Sequence, residues 1–216
     1  MRLPGVPKDR RRHFYGSKKY QWTTDEVPVP QLGETRKGHV NLMTAEDWAK
    51  MRANSSEPDI RPTCSEDLDC VRRLWADGDV MKYVGFPDGI VKTRPEMEEW
   101  LGRIEKKRPY TDHFSIRSGG VFCGETFYRI NRDTGLASLD IKLFAFARGK
   151  GIAGKALKFA AARAFENGAK KCFVTPHPEN AKAIALYRRL GFEQKEMPEE
   201  LFDPDYPGYL YFELRQ

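Results

Sequence analysis

The segment ARGKGIAGKAL, Ala147 to Leu157, sets glycines at 149, 151 and 154 among Arg148, Lys150 and Lys155. Gly149 to Ala156 departs from the nucleotide pattern Gly-x-x-x-x-Gly-Lys-Ser/Thr only at its last position, where Ala156 has no hydroxyl to ligate magnesium. The next apolar run, CFVTP, supplies no acid for the same metal. Nucleotide loops of that kind also follow a strand of a parallel sheet, whereas this one follows three strands that read as an antiparallel meander. These differences weigh against magnesium-dependent ATP hydrolysis. The remaining chemistry is simpler. Gly149 and Gly151 leave main-chain N–H groups open to a bulky anion, and the helix that follows adds the partial positive charge of its N-terminus. Arg148, Lys150 and Lys155 add cations that need no metal. The segment suits a diphosphate bound without a divalent ion.

The elements that hold this loop can be followed along the chain. Residues 1–40 are broken by Pro4, Pro7, Pro28 and Pro30, which argues against a long regular element. Thr44-Ala45-Glu46-Asp47 opens a short helix to about Arg52, within a lead-in at 41–56. DIR, residues 59–61, is a short strand. Thr63-Cys64-Ser65-Glu66 reads as a capping box before a helix with apolar Leu68, Val71, Leu74 and Trp75, and Thr93-Arg94-Pro95-Glu96 caps a helix with Met97, Trp100, Leu101 and Ile104 on one side. Then the period changes to two: HFSIRSGGVFCGETFYRINRDTGLASLDIKLF gives three strands joined at Ser118-Gly119-Gly120 and Arg132-Asp133-Thr134-Gly135. A helix runs from the glycine loop to about Asn167, KKCFVTP is a strand, ENAKAIALYRRLG a helix, and FEQKEM and YLYFEL are closing strands. The order implies an α+β fold, an α/β sandwich whose mixed, mostly antiparallel central sheet carries helices on both faces. Residues 57–216 form the domain.

Two motifs at a set separation go further. Arg148-x-x-Gly151-x-Ala153, followed by a helix, a strand and then Asn180, Tyr187 and Gly191-Phe192, resembles the GNAT superfamily of acyl-coenzyme A N-acyltransferases over roughly residues 57–214. The resemblance implies acetyl-coenzyme A as acyl donor and no metal. It places Arg148, Gly149, Lys150, Gly151, Ile152 and Ala153 on the pyrophosphate, with Gly154 and Lys155 continuing that helix end. It makes the strand around Ile141, Lys142 and Leu143 the edge that pairs with the pantetheine arm at a splay between strands. Asn180 is implied to hydrogen-bond that arm, with helix capping as its other use. ETFYRIN and ADGDVMKYVGFPDGI are similar to the ribosomal-protein N-acetyltransferase-like branch of the family.

An amine attacks a thioester only when neutral, so a site of this kind must remove a proton and return one to the departing thiolate. The resemblance implies Tyr187 as general acid; a place in the apolar stripe with Ile184 and Leu190 is its plainer role. Many relatives carry Glu near the start of the strand before the loop, where this chain has Ala137 and Ser138. Asp140 and Glu125 are the acids left on the meander as candidate bases, with His113 and His177 as further options. Cys64, Cys70, Cys123 and Cys172 show no CxxC spacing and read as reduced core or near-core thiols.

Charge is unevenly distributed. Residues 1–22 carry seven Lys/Arg against Asp9, and this matches the whole chain's net charge of +6, so the remaining body is balanced. That tail is either a weak contact for an acidic partner such as RNA or a flexible solubilising leader. With no apolar signal core and no membrane-length run, a cytoplasmic protein is expected. The amine acceptor, a small molecule or a protein amine, stays open, as does monomer or homodimer. The rival to an enzyme is a non-catalytic coenzyme A- or RNA-binding module of the same fold that works through the basic tail.

Overall fold

The computed structural model describes residues 57–204 and 206–216; the basic extension 1–40 and the helical lead-in at 41–56 lie outside the described residues. Seven strands form a sheet in the order β1-β2-β3-β4-β5-β7-β6. They are β1 Asp59–Pro62, β2 Thr111–Ser118, β3 Val121–Ile130, β4 Leu136–Leu143, β5 Lys171–Val174, β6 Glu193–Lys195 and β7 Tyr211–Arg215. All neighbours run antiparallel except β4 and β5. The helices are α1 Leu68–Ala76, α2 Gly78–Met81, α3 Arg94–Glu105, α4 Ile152–Glu166 and α5 Ala181–Arg189.

Period-two alternation divides the sheet into two buried faces. Phe114, Tyr128, Leu139, Val174 and Phe212 pack on α4 and α5, where Leu157, Ala160, Ala164 and Tyr187 complete the core. Four alanines on the buried side of α4, at 156, 160, 161 and 164, let that helix lie close to the strands. The opposite face meets α1 and α3 through Leu68, Val71, Leu74, Met97, Leu101 and Phe122. The expected sandwich, with a mostly antiparallel sheet covered on both sides, is therefore present.

Local chemistry explains most boundaries. The β2–β3 hairpin turns on Gly119 and Gly120, both at positive φ, the two-residue loop whose twist suits paired strands. The next turn is an Asx turn, in which Asn131 Oδ1 accepts from Asp133 N–H at 2.9 Å. Thr93 and Glu96 form the anticipated reciprocal box at α3. The box expected at Thr63–Glu66 is displaced by one residue: Asp67 accepts from Cys64 N–H at 3.3 Å ahead of α1. Thr63 is drawn away because its buried hydroxyl bonds His113 Nδ1 at 2.8 Å and Ser115 Oγ at 2.9 Å. Helix α2 was not anticipated; it starts where Asp77 Oδ1 accepts from Asp79 and Val80 N–H.

A β-bulge lies where β2 meets β3: Ile116 is opposite Gly124 and Arg117 opposite Phe122, so Cys123 is the extra residue. The bulge puts Phe122 and Glu125 on the same face as α1 and α3. Gly124 has φ +157°, and a Cβ there would stand 2.0 Å from the Lys142 carbonyl oxygen. A side chain at this point must push β3 and β4 apart. Gly124→Ala should therefore destabilise the protein by roughly 3 kcal/mol in denaturant unfolding, a cost typical of an overpacked core site; a change within about 0.5 kcal/mol would show that the strand pair is not held at this distance.

Candidate active site

The site begins where two strands part. β4 and β5 pair only at Leu136–Lys171, Ala137–Cys172 and Ser138–Phe173. β5 ends at Val174, while β4 continues through Leu139 to Leu143 beside β3 alone. Phe144 N–H donates to Cys123 O at 3.0 Å, which fixes the alternation: Leu143 and Ile141 turn their backbone groups towards the opened side. Two of those groups are met by side chains. Ile141 N–H donates to Asp140 Oδ1 at 2.7 Å, and the Leu143 carbonyl accepts from Arg148 Nε at 3.0 Å.

The glycine loop stands at the same end. Residues 148–151 are exposed, and Gly149 and Gly151 have φ of +77° and +76°. A Cβ at either would meet nothing within 4 Å, so the backbone conformation, and not crowding, calls for glycine, and the space before the loop is open. Gly151 is the N-cap of α4 and offers no capping side chain. Lys155 N–H donates to Gly151 O at 3.3 Å, leaving the amides of Ile152, Ala153 and Gly154 as the first-turn donors with no partner within the helix. The side chain of Ile152 is buried, so only its main chain faces this end. A Cβ on Gly154 would lie 3.6 Å from Leu190 and 3.8 Å from Leu186, so this glycine adjoins α5. Arg148 also reaches the Asp79 carbonyl at 3.4 Å, and Lys155 pairs with Glu57 at 2.6 Å across exposed surface.

Beneath the parted strands runs a buried line of charge. Glu125 is 1% exposed. Trp75 Nε1–H is 2.9 Å from both of its oxygens, Lys142 Nζ is 3.2 Å from Oε1, and His113 Nε2 is 3.1 Å from Oε2 but off the hydrogen-bond line. Burial alone would raise the Glu125 carboxyl, but Lys142, His113 and the Trp75 indole outweigh it and hold the group down to about 2. Lys142, 4% exposed, also touches the Asp140 carboxylate. Asp140 is the member that reaches the opening, with 20% of its side chain exposed.

Tyr187, on α5, is buried and lies close enough to Asp140 and Lys142 to feel their charges. Its ring packs on Phe192 and Phe212, with centroids 5.7 and 6.5 Å away. Burial raises its phenol, Asp140 adds to the rise, and Lys142 opposes it. Asn180 caps α5, its Oδ1 accepting from Ala183 N–H at 3.2 Å. Just beyond the end of β5, the rings of Tyr83, His177, Tyr209 and Tyr206 follow one another at centroid distances of 5.7, 5.3 and 5.2 Å, and Tyr209 Oη–H donates to the Tyr83 carbonyl at 3.1 Å. Burial lifts the Cys123 and Cys172 thiols to about 11 and 12, which keeps both protonated. Among the described residues there is no metal-holding cluster.

A model of the acetyltransferase (GNAT) domain matches residues 59–193. The chain belongs to this family. It is an acetyl-coenzyme A-dependent N-acetyltransferase, and its substrates are that thioester and an amine. Solved structures agree in fold. A spermidine N-acetyltransferase from Vibrio cholerae, in complex with CoA and spermine, has 22% identity and TM-score 0.62, covering 74% of this chain and 96% of its own. RimL, a ribosomal alpha-N-protein acetyltransferase in complex with coenzyme A, has 15% identity and TM-score 0.63, with 74% and 94% covered. A ribosomal-protein-alanine N-acetyltransferase from Brucella melitensis has 19% identity and TM-score 0.61, with 73% and 99% covered. No curated protein matches the sequence. No helix among the described residues is long and apolar enough to cross a membrane.

The structure joins Asp140 and Glu125 through Lys142 and sets Tyr187 within electrostatic reach of Asp140 and Lys142. Lys142, expected to contribute its backbone, and Trp75, expected only on an apolar helix face, both have side-chain parts in this cluster. The Trp75–Glu125 contact spans fifty positions, and no local pattern announces it. His113 does not reach the opening: it is buried, with Thr63 on one ring nitrogen and Glu125 beside the other.

Because the Glu125 carboxyl lies below its ordinary value near 4.5, the stability it confers is present above that value and is lost as pH falls towards about 2. Thermal melts of Glu125→Gln should accordingly fall less steeply than wild type between about pH 4.5 and 2; parallel curves would show that the buried carboxylate is not so held.

Proposed function

We propose that acetyl transfer proceeds by direct attack in a ternary complex, with Tyr187 as general acid and Asp140 as general base. One observation supports the location above all others: β4 leaves β5 after three paired residues, at the same end where an uncapped helix begins behind two open glycines. An arm containing amide groups can pair with the edge of β4 as a strand would, through the Ile141 carbonyl and the Leu143 N–H, since Asp140 and Arg148 already meet the Ile141 N–H and the Leu143 carbonyl. The amides from Gly149 to Ala153 suit a diphosphate, with Arg148 and Lys150 as neighbouring cations. Gly154 and Lys155 lie one step further along the helix, where Gly154 also serves packing against α5. Asn180 keeps its side-chain N–H₂ for the arm while its oxygen caps α5.

In the reaction the neutral amine attacks the thioester carbonyl, the carbon–sulfur bond breaks, and the acetyl group passes to nitrogen. Asp140 receives the proton that leaves the amine, because its carboxylate reaches the opening and Glu125, sealed below it, does not. Tyr187 returns a proton to the thiolate. Its burial supports this role, since a raised phenol retains its proton until a strong base appears beside it. The ring cluster Tyr83–His177–Tyr209, next to the end of β5, would suit an amine carried on an aliphatic or peptide stem.

Thiol release from acetyl-coenzyme A against a panel of primary amines tests the assignment. Tyr187→Phe should lower kcat about 100-fold while leaving the acetyl-coenzyme A KM within about threefold. Undiminished kcat would remove the acid role from this residue. Gly151→Val, which forces a branched side chain into positive φ before the open space, should weaken coenzyme A binding at least about tenfold by calorimetry. Wild-type affinity in that variant would displace the diphosphate from the loop, and cofactor affinity without turnover by wild type on any amine would favour a binding module.

A further inference from the structure

The buried ion cluster is more elaborate than a fold of this size requires. An ammonium within the core is costly unless it is fully compensated, and a shape-matched apolar residue there is often as stable or more so. Lys142 nevertheless lies in the centre of the sheet with a carboxylate on either side: Glu125, across the β3–β4 pair, and Asp140, two residues along its own strand. The cluster is also polarised. Its inner end is sealed, with Trp75 donating to both oxygens of Glu125. Its outer end is Asp140, whose two oxygens have separate partners: Oδ2 meets Lys142, and Oδ1 accepts from Ile141 N–H on the unpaired edge of β4. The carboxylate is thus fixed in place and in rotation at the opening.

We infer that Lys142, braced from beneath by Glu125 and Trp75, is a positioning residue that holds the Asp140 carboxylate in place and aimed for removal of the proton from the acceptor amine. This rests on Asp140 being the base. The titratable groups around Asp140 are Lys142 on its own strand, Glu125 on β3, His113 on β2 and Tyr187 on α5. Lys142 is the cation in contact with it, and Glu125 is the anion that moderates that cation. The two should therefore act on the reaction with opposite sign. Removing the cation makes the carboxylate take up its proton more readily. Removing the anion frees Lys142 to serve Asp140 alone and makes the proton harder to add.

The test is the pH dependence of kcat/KM, measured for the full chain with an amine substrate from the panel, on wild type, Asp140→Asn, Lys142→Met and Glu125→Gln. Asp140→Asn should lose at least about 100-fold in kcat; if it keeps wild-type activity, Asp140 is not the base. Given that loss, Lys142→Met should move the acid limb to higher pH by about one unit, and Glu125→Gln should move it to lower pH, with the acetyl-coenzyme A KM of each within about threefold of wild type. Lys142→Arg, which retains the charge, should restore the wild-type limb. A cluster that merely stabilises the sheet would lower melting temperature in these variants and leave the limb where it is, and that outcome overturns the inference. If Lys142→Met does not fold, Glu125→Gln decides alone: a limb at lower pH supports the positioning role, and an unmoved one refutes it.

Discussion

The early separation of β4 from β5 is the constraint on which the rest of this molecule depends. A parallel pair that stayed together would satisfy the outward backbone groups of Ile141 and Leu143 within the sheet. Because only three residue pairs hold, those groups face an opening instead, and the cost of exposing them is reduced by Asp140 at Ile141 and Arg148 at Leu143. The same separation gives α4 its place. The chain leaves β4, turns through two glycines at positive φ, and presents the first turn of a helix at the mouth of the gap. Strand edge and helix start are two consequences of a single break in pairing.

Around that break, the two sides of the sheet do different work. The side facing α4 and α5 is almost wholly apolar and anchors the helix behind the loop. The side facing α1 and α3 carries charge into the interior, from Trp75 through Glu125 and Lys142 to Asp140. Gly124 and the bulge at Cys123 connect these roles, since the close approach of β3 to β4 at this point sets Glu125 opposite Lys142. Rigidity beneath the opening and exposure at its rim arise from the same strand pair.

Much of this was legible in the residues. The period-two meander, the paired glycines at 119–120 and the Thr93–Glu96 box each express a local rule, and each appears where that rule puts it. The glycine loop could be separated from a nucleotide site because its missing hydroxyl and acid are matters of residue type. What could not be seen is long-range. Thr63 looked like a cap, but its hydroxyl is claimed by His113 and Ser115, fifty and fifty-two positions away, so the box moved to Cys64 and Asp67. Glu125 and Asp140 looked alike as strand acids. Only tertiary packing separates them, by sealing one under an indole and leaving the other at the rim. Lys142 read as backbone for the same reason: alternation told which way it points, not what waits there.

Backbone amide hydrogen exchange with and without coenzyme A tests the central claim most directly. The account predicts new protection concentrated at Leu139–Leu143 and Gly149–Gly154, with the strands of the β1–β2 edge unchanged. Binding that leaves both segments exchanging as in the free protein, with protection appearing elsewhere, would contradict it.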